Sequence, residues 1–149
     1  MKLLDKISRK LQRVDRISDE TLDVFAKNWT NSRPVSLSSL KGQVVLVAFT
    51  GDDANIFYKL NLWDKMFPCF QVICLFFQDK KGIKRVVKDN RISFPIALDD
   101  NSRTSDALKV TSRPAFYLFD KKGRLRFRLM NADLDRVGTA ILRLSAEPT

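Results

Sequence analysis

Two cysteines and two aspartate pairs are the candidates for chemistry in this chain of 149 residues, which includes no histidine. The cysteines are Cys69 and Cys74, and the aspartate pairs stand at 52–53 and 99–100. Without an imidazole, Ser-His triads, histidine-based zinc sites and imidazole acid–base catalysis are excluded. The chemistry to consider is that of the thiols and cation binding by the aspartate pairs.

The two cysteines are not expected to form a disulfide with each other. On one extended segment, five residues at about 3.3 Å each separate them by about 16 Å, whereas a disulfide needs Cα atoms within about 7 Å. Cys74 lies within an apolar run and is predicted to be buried. Cys69 follows Pro68 at a turn and is the candidate for a redox role. Since no signal peptide is recognised, we expect reduced thiols in a cytoplasmic or other reducing compartment.

The aspartate pairs are interpreted as turn and helix-capping residues. The alternative is a cation site, which generally needs three or more converging oxygen ligands. No P-loop, GxGxxG or zinc-ligand spacing is present. We therefore predict no metal and no cofactor.

The formal net charge of +10 predicts association with an anionic partner. Nucleic acid, anionic lipid and an acidic protein all fit, and the alternative is a basic surface without a dedicated partner. Two groups of basic residues are each predicted to share one face of an element: Lys81, Lys84, Arg85 and Lys88 on a helix, and Arg124, Arg126 and Arg128 on a strand.

Residues 1–17 are predicted to form a basic amphipathic helix with a net charge of +4. One stripe of apolar residues recurs at spacings of three and four: Leu3, Leu4, Ile7, Leu11, Val14 and Ile17. Such a helix packs on its own domain, docks on another protein or lies on a membrane surface. No apolar run reaches the roughly 18 residues of a membrane-spanning helix.

The rest of the chain, residues 18–149, alternates between strand and helix patterns and is predicted to form one domain. Strands are predicted at 24–25, 43–50, 70–77, 92–98, 115–119 and 124–129. Helices are predicted from Asp52 or Asp53 to about 67, and at 80–90, 103–110 and 132–144. Parallel crossovers followed by an antiparallel hairpin favour an α/β sandwich with a mixed sheet.

Three segments in this order resemble the TlpA-type and AhpC/TSA-type (redoxin) domains of the thioredoxin-like superfamily. They are residues 35–49 (VSLSSLKGQVVLVAF), 92–99 (ISFPIALD) and 110–125 (VTSRPAFYLFDKKGRL). The resemblance extends over roughly residues 18–144 and implies a thioredoxin-like three-layer α/β/α sandwich. It also implies that Pro114 is the cis-proline of the family and that Arg113 lines the groove beside it.

The thiols that this resemblance implies are absent. Active members carry Trp-Cys-x-x-Cys at the start of the first helix, where the helix dipole favours a thiolate. No cysteine occurs between residues 50 and 68, so a peroxidatic cysteine is missing as well. The aligned positions of this degenerate motif are Asp53, Ala54, Asn55, Ile56 and Phe57.

The sequence favours a redox-inactive thioredoxin-like domain that serves as a protein-binding or scaffold module, with no catalytic residue. Its binding site would be the groove beside Pro114, with Arg113 and the turn at residues 50–53. One alternative is a binder of nucleic acid or an anionic membrane surface through the basic faces. The other is a thiol-disulfide oxidoreductase that works through Cys69.

Overall fold

The computed structural model describes residues 24–77, 80–131 and 133–149. The predicted amphipathic helix at 1–17 and the first six residues of the predicted domain lie outside these ranges. Within the described ranges, no helix is long and apolar enough to cross a membrane.

A six-stranded mixed sheet forms the centre of the molecule, with the order β1-β4-β3-β2-β5-β6. Strands β2, β3 and β4 pair in parallel, and the other three pairings are antiparallel. The strands are β1 (Ala26–Thr30), β2 (Val44–Thr50), β3 (Phe70–Phe76), β4 (Ile96–Asp99), β5 (Ala115–Phe119) and β6 (Leu125–Met130). The helices are α1 (Ala54–Met66), α2 (Lys80–Asn90), α3 (Arg103–Ala107) and α4 (Leu134–Ser145).

The sheet is covered on both faces, which explains why its central strands are continuous apolar runs. Every residue of β2 is buried. One apolar core lies between the sheet and helices α1, α2 and α4. The other lies under Val24, the 3₁₀ turn Leu37–Leu40 and Leu108, which follows α3. The three-layer α/β/α sandwich is thus confirmed.

Two strands differ from their predicted positions because side chains take up their backbone groups. The predicted strand at 24–25 is wrong, since the N–H and C=O of Phe25 both bond to Oγ1 of Thr104 (2.7 and 3.1 Å). Strand β4 begins later than predicted, since Nδ2 of Asn31 donates to the carbonyls of Ile92 and Phe94 (2.8 and 3.1 Å).

Helix α3 and strand β6 also depart from the sequence pattern. The predicted helix at 103–110 ends at Ala107, and Lys109 has a left-handed φ of 55°. In β6, a register shift in the pairing with β5 breaks the strict alternation. Leu125 therefore packs in the core on the opposite side of the sheet from Phe127 and Leu129, and the predicted single apolar face is wrong.

Candidate functional site

Four loops meet at the carboxyl edge of the parallel strands, where α/β folds usually place their binding sites. Strand β2 ends at Thr50, β3 at Phe76 and β4 at Asp99. Strand β5 is antiparallel to β2 and starts with Ala115 opposite Phe49, so the segment before β5 reaches the same edge. The peptide bond between Arg113 and Pro114 in that segment is cis, as the resemblance implied.

The turn that opens α1 has a carboxylate next to the position where the resemblance implies the first thiol. Asp53 is the N-cap, and its Oδ1 accepts hydrogen bonds from the N–H groups of Asn55 (3.0 Å) and Ile56 (3.2 Å). Ala54 and Asn55 are exposed, whereas Ile56 and Phe57 are buried in the core. Two of the N–H groups at the start of the helix thus already donate to a carboxylate.

Asp52, beside the cap, makes an ion pair across to α2. Its Oδ2 lies 3.3 Å from Nη2 of Arg85, and the two side chains are 41% and 63% exposed. At such exposure an ion pair contributes about 0–1 kcal/mol. The turn therefore offers accessible carboxylates, and Arg85 is partly neutralised.

An aromatic ring and a guanidinium group cover the other side of this turn. A Cβ atom on Gly51 would lie 2.7 Å from Cζ of Phe77, so the absence of a side chain lets the ring approach the backbone. The guanidinium carbon of Arg113 lies 5.1 Å from the centroid of the Phe77 ring, within cation–π range. Phe77 stays 52% exposed, and Arg113 is exposed.

A chain of hydrogen bonds orients Arg113 toward that ring. The carboxylate of Asp99 accepts from the N–H groups of Thr104 (3.0 Å) and Ser105 (2.9 Å) and from Oγ of Ser105. Nη2 of Arg113 donates to the same Ser105 Oγ at 3.1 Å. Asp99 thus fixes the start of α3, and through Ser105 it positions Arg113.

The surface formed by Gly51, Phe77, Arg113 and Pro114 is termed the groove. Arg113, Pro114 and the turn at residues 50–53 were predicted from the sequence, whereas Phe77 was assigned to the end of a buried strand. The sequence signal for Phe77 was its position, since it is an aromatic residue at the carboxyl end of a predicted parallel strand. Gly51 lies in the predicted turn, but its contact with a ring 26 positions away in the sequence left no local signal.

A model of the AhpC/TSA family matches residues 17–128. The chain belongs to the AhpC/TSA family. Among curated proteins, none is significantly similar in sequence.

Solved structures share the thioredoxin-like fold of this family member. A thiol-disulfide isomerase from Corynebacterium glutamicum is 20% identical with a TM-score of 0.74, and 91% of this chain and 100% of that chain are covered. The thioredoxin-like superfamily protein SPOA0173 is 22% identical with a TM-score of 0.73, and 85% of this chain and 96% of that chain are covered. A secreted disulfide oxidoreductase from Mycobacterium tuberculosis is 18% identical with a TM-score of 0.71, and 85% of this chain and 100% of that chain are covered. At these identities the likeness establishes the fold.

The cysteines of this AhpC/TSA domain lie away from the groove, and both are free thiols. Cys74 is fully buried, and burial raises the pKa of its thiol well above the ordinary value. Cys69 is exposed, but its carbonyl accepts from the N–H of Val44 (2.9 Å) at the start of β2. Six steps along β2, at about 3.3 Å each, put Cys69 about 20 Å from the groove edge.

The basic residues predicted on β6 are largely engaged in ion pairs. Arg126 makes two hydrogen bonds to the carboxylate of Glu147 (2.7 and 3.0 Å) and one to Asp120 (3.2 Å), and is only 24% exposed. Arg124 bonds to the same Asp120 oxygen at 3.1 Å. Arg128 lies opposite Tyr117 in the β5–β6 pairing. The three arginines therefore do not form an open basic face.

The basic residues on α2 are arranged differently. Lys81, Lys84, Arg85 and Lys88 are all exposed, while Ile83 and Val86 pack into the core. This face of α2 remains available to an anionic partner, apart from the pairing of Arg85 with Asp52.

No group of three or more cysteine, aspartate or glutamate side chains that could hold a metal ion occurs in the described part of the chain. Three of the four aspartates considered for a cation site are used otherwise. Asp53 caps α1, Asp52 pairs with Arg85 and Asp99 binds the start of α3.

Proposed function

We propose that this AhpC/TSA domain is a redox-inactive module that binds a protein partner at the groove. The observation that carries the proposal is the turn at Asp53, Ala54 and Phe57, which holds a capping carboxylate and no thiol. Two free thiols also support a reducing compartment for the protein.

The electrostatics of the turn support redox inactivity beyond the missing sulfur atoms. Disulfide exchange begins with attack by a thiolate, and a helix N-terminus favours a thiolate because its free N–H groups face the charge. Here the Asp53 carboxylate already accepts from the N–H groups of Asn55 and Ile56. A second negative charge at Ala54 would be disfavoured by repulsion.

The groove has the residue types that protein-binding sites favour. Aromatic and arginine side chains contribute most of the energy of many interfaces, and Phe77 and Arg113 are exposed together at the sheet edge. Since Ser105 holds Arg113 in place, little side-chain entropy remains to be lost on binding. An extended peptide with an acidic residue opposite Arg113 is the partner that this geometry fits.

A displayed peptide library tests the binding proposal. Peptides enriched on the wild-type domain should lose at least about 10-fold in affinity for Phe77→Ser and for Arg113→Ser, because each change removes one contact of the order of 1.4 kcal/mol. Leu142→Ser is the matched control, since Leu142 is an exposed apolar residue (59%) on α4. Enrichment that is equal on all four proteins would refute the groove as the binding site.

A second candidate function is the binding of an anionic surface by α2, supported by the exposure of Lys81, Lys84 and Lys88 on one helix. When binding depends on phosphate contacts, the logarithm of the binding constant falls linearly as the logarithm of the salt concentration rises. Changing these three lysines to glutamine should flatten that slope, and Arg124→Gln should leave it unchanged. A slope that does not respond to the lysine changes would exclude α2 as the binding element.

A further inference from the structure

Helix α1 carries a row of exposed apolar side chains on the face that points away from the sheet. Tyr58, Leu62 and Met66 are 68%, 40% and 54% exposed, and their spacing of four keeps them within an arc of about 80° on the helix. Single exposed apolar residues are normal on a protein surface, but a contiguous row is typical of an interaction surface. These three residues are termed the α1 ridge.

Helix α2 lies beside α1 on the same face of the sheet, since both contribute to one apolar core. Two polar contacts join them. Arg85 of α2 pairs with Asp52 at the start of α1 (3.3 Å), and Nδ2 of Asn61 donates to the carbonyl of Asn90 (2.9 Å). Because helices in contact lie about 8–10 Å apart, the α1 ridge runs alongside the exposed side of α2, and the two form one surface.

The charge of this shared surface is positive. Together α1 and α2 contain seven basic and two acidic residues. On α2, Lys81, Lys84 and Lys88 are exposed, and so is Lys65 on α1. The apolar side of α2 packs into the core, so α2 alone offers a partner only charge. The α1 ridge supplies the apolar contacts that α2 lacks.

An apolar row beside a basic row fits the boundary between headgroups and acyl chains of an anionic membrane. Lysines pair with the anionic headgroups there, while aliphatic side chains enter the acyl boundary. Nucleic acid fits less well, because its bases stack on aromatic rings and Leu62 and Met66 are aliphatic. A second copy docked through the same face would bring two basic rows together, and like charges repel.

We propose that this AhpC/TSA domain lies on an anionic membrane surface, which it contacts through the α1 ridge and the exposed lysines of α2. The inference rests on the second candidate function, the binding of an anionic surface by α2, and it names the partner as a lipid bilayer. With this face on the membrane, the groove lies at the side of the domain, where α1 begins, and stays accessible.

Sedimentation with lipid vesicles tests the proposal on the full chain, so that residues 1–17 are the same in every variant. The wild type should bind an equimolar mixture of phosphatidylserine and phosphatidylcholine at least about 10-fold more tightly than phosphatidylcholine alone. Replacing the α1 ridge by serine (Tyr58→Ser, Leu62→Ser, Met66→Ser) should weaken binding to the anionic vesicles by at least about 10-fold. Phe25→Ser is the control and should not weaken it, because Phe25 is exposed (36%) but lies beside α3. Equal binding by the wild type and the ridge variant, or equal binding to the two kinds of vesicle, would overturn the proposal.

Charge variants separate this proposal from the second candidate function. Glutamine at the three exposed lysines of α2 should also weaken binding to the anionic vesicles, and more than a matched variant outside α1 and α2 (Arg33→Gln, Lys41→Gln, Lys122→Gln). Binding that needs the α2 lysines but not the α1 ridge would refute the membrane proposal and retain the candidate function, whereas binding that needs neither would refute both. An equal loss by the ridge variant on duplex DNA would assign the ridge to nucleic acid and refute the proposal.

A fluorophore on the α1 ridge replaces the serine variant should that variant fail to fold. In a Cys69→Ser background, an environment-sensitive fluorophore at Leu62→Cys should shift its emission to shorter wavelength on anionic vesicles. The same fluorophore at Ser39→Cys should not, because Ser39 is exposed in the 3₁₀ turn over the other face of the sheet. Cys74 is fully buried and stays unlabelled. Equal shifts at the two positions would refute the proposal.

Discussion

The two edges of the sheet use their charged side chains in opposite ways. At the β5–β6 hairpin, Asp120 is 3% exposed and holds Arg124 and Arg126, and Arg126 also binds Glu147. At the groove edge, Asp52 and Arg113 stay exposed. Buried ionic groups are costly to leave unpaired, whereas exposed pairs contribute little. The hairpin charges therefore stabilise the fold, whereas the groove charges stay accessible to solvent.

Removing the buried carboxylate at the hairpin should have the largest effect. Asp120 accepts hydrogen bonds from the N–H groups of Lys122 and Arg124 and from the side chains of Arg124 and Arg126. We expect Asp120→Ala to lower the free energy of unfolding by about 3 kcal/mol, measured by urea denaturation. The matched change at the groove edge, Asp52→Ala, should cost less than about 1 kcal/mol. Equal losses would remove the distinction between the edges.

A double-mutant cycle on Arg126 and Glu147 should give a smaller effect. Their bidentate, partly buried pair joins β6 to the residues after α4, where Nζ of Lys121 also binds the carbonyls of Ser145 and Glu147. We expect a coupling energy of about 1.5 kcal/mol from Arg126→Ala and Glu147→Ala. The cycle on Arg85 and Asp52 should give about 0.3 kcal/mol. A coupling as weak at Arg126 as at Arg85 would contradict the account.

The pH dependence of stability should sharpen the same comparison. Burial alone raises the pKa of Asp120, but hydrogen bonds from Arg124 and Arg126 outweigh it and hold the pKa below its ordinary value of 3.8. The unfolded chain therefore binds the proton more readily, and the stability from this carboxylate is present above pH 3.8 and is lost as the pH falls through the lowered value. Asp120→Asn should show a shallower loss of stability in acid than the wild type. If the wild type and Asp120→Asn lost stability identically in acid, Asp120 would be excluded as the cause of that loss.

The sequence predicted the elements whose residue pattern follows directly from burial. Strand β2, helix α2 and strand β5 appear within one residue of their predicted bounds, because continuous apolar runs and helical periodicity follow from burial. The starts of β1 and β4 were missed because Thr104 and Asn31 supply hydrogen bonds across more than 60 positions of the chain. Such long-range contacts leave no periodic signal in the sequence.

The candidate site was predictable in the same uneven way. The capping role of Asp53 and the cis-proline at Pro114 follow from local patterns and from the family resemblance. The contact of Phe77 with Gly51, and the ion pairs of Arg124 and Arg126, depend on which side chains the fold brings together. Alternation along β6 predicted a basic face, but Asp120 and Glu147 neutralise most of it.

Reduction of insulin by dithiothreitol tests the central claim of redox inactivity most directly. We expect the wild-type protein to add no turnover above a blank without protein, while an active dithiol oxidoreductase in the same assay does. Cys69→Ser should give the same trace as the wild type. Turnover by the wild type would contradict the account, and its loss in Cys69→Ser would assign the activity to that exposed thiol.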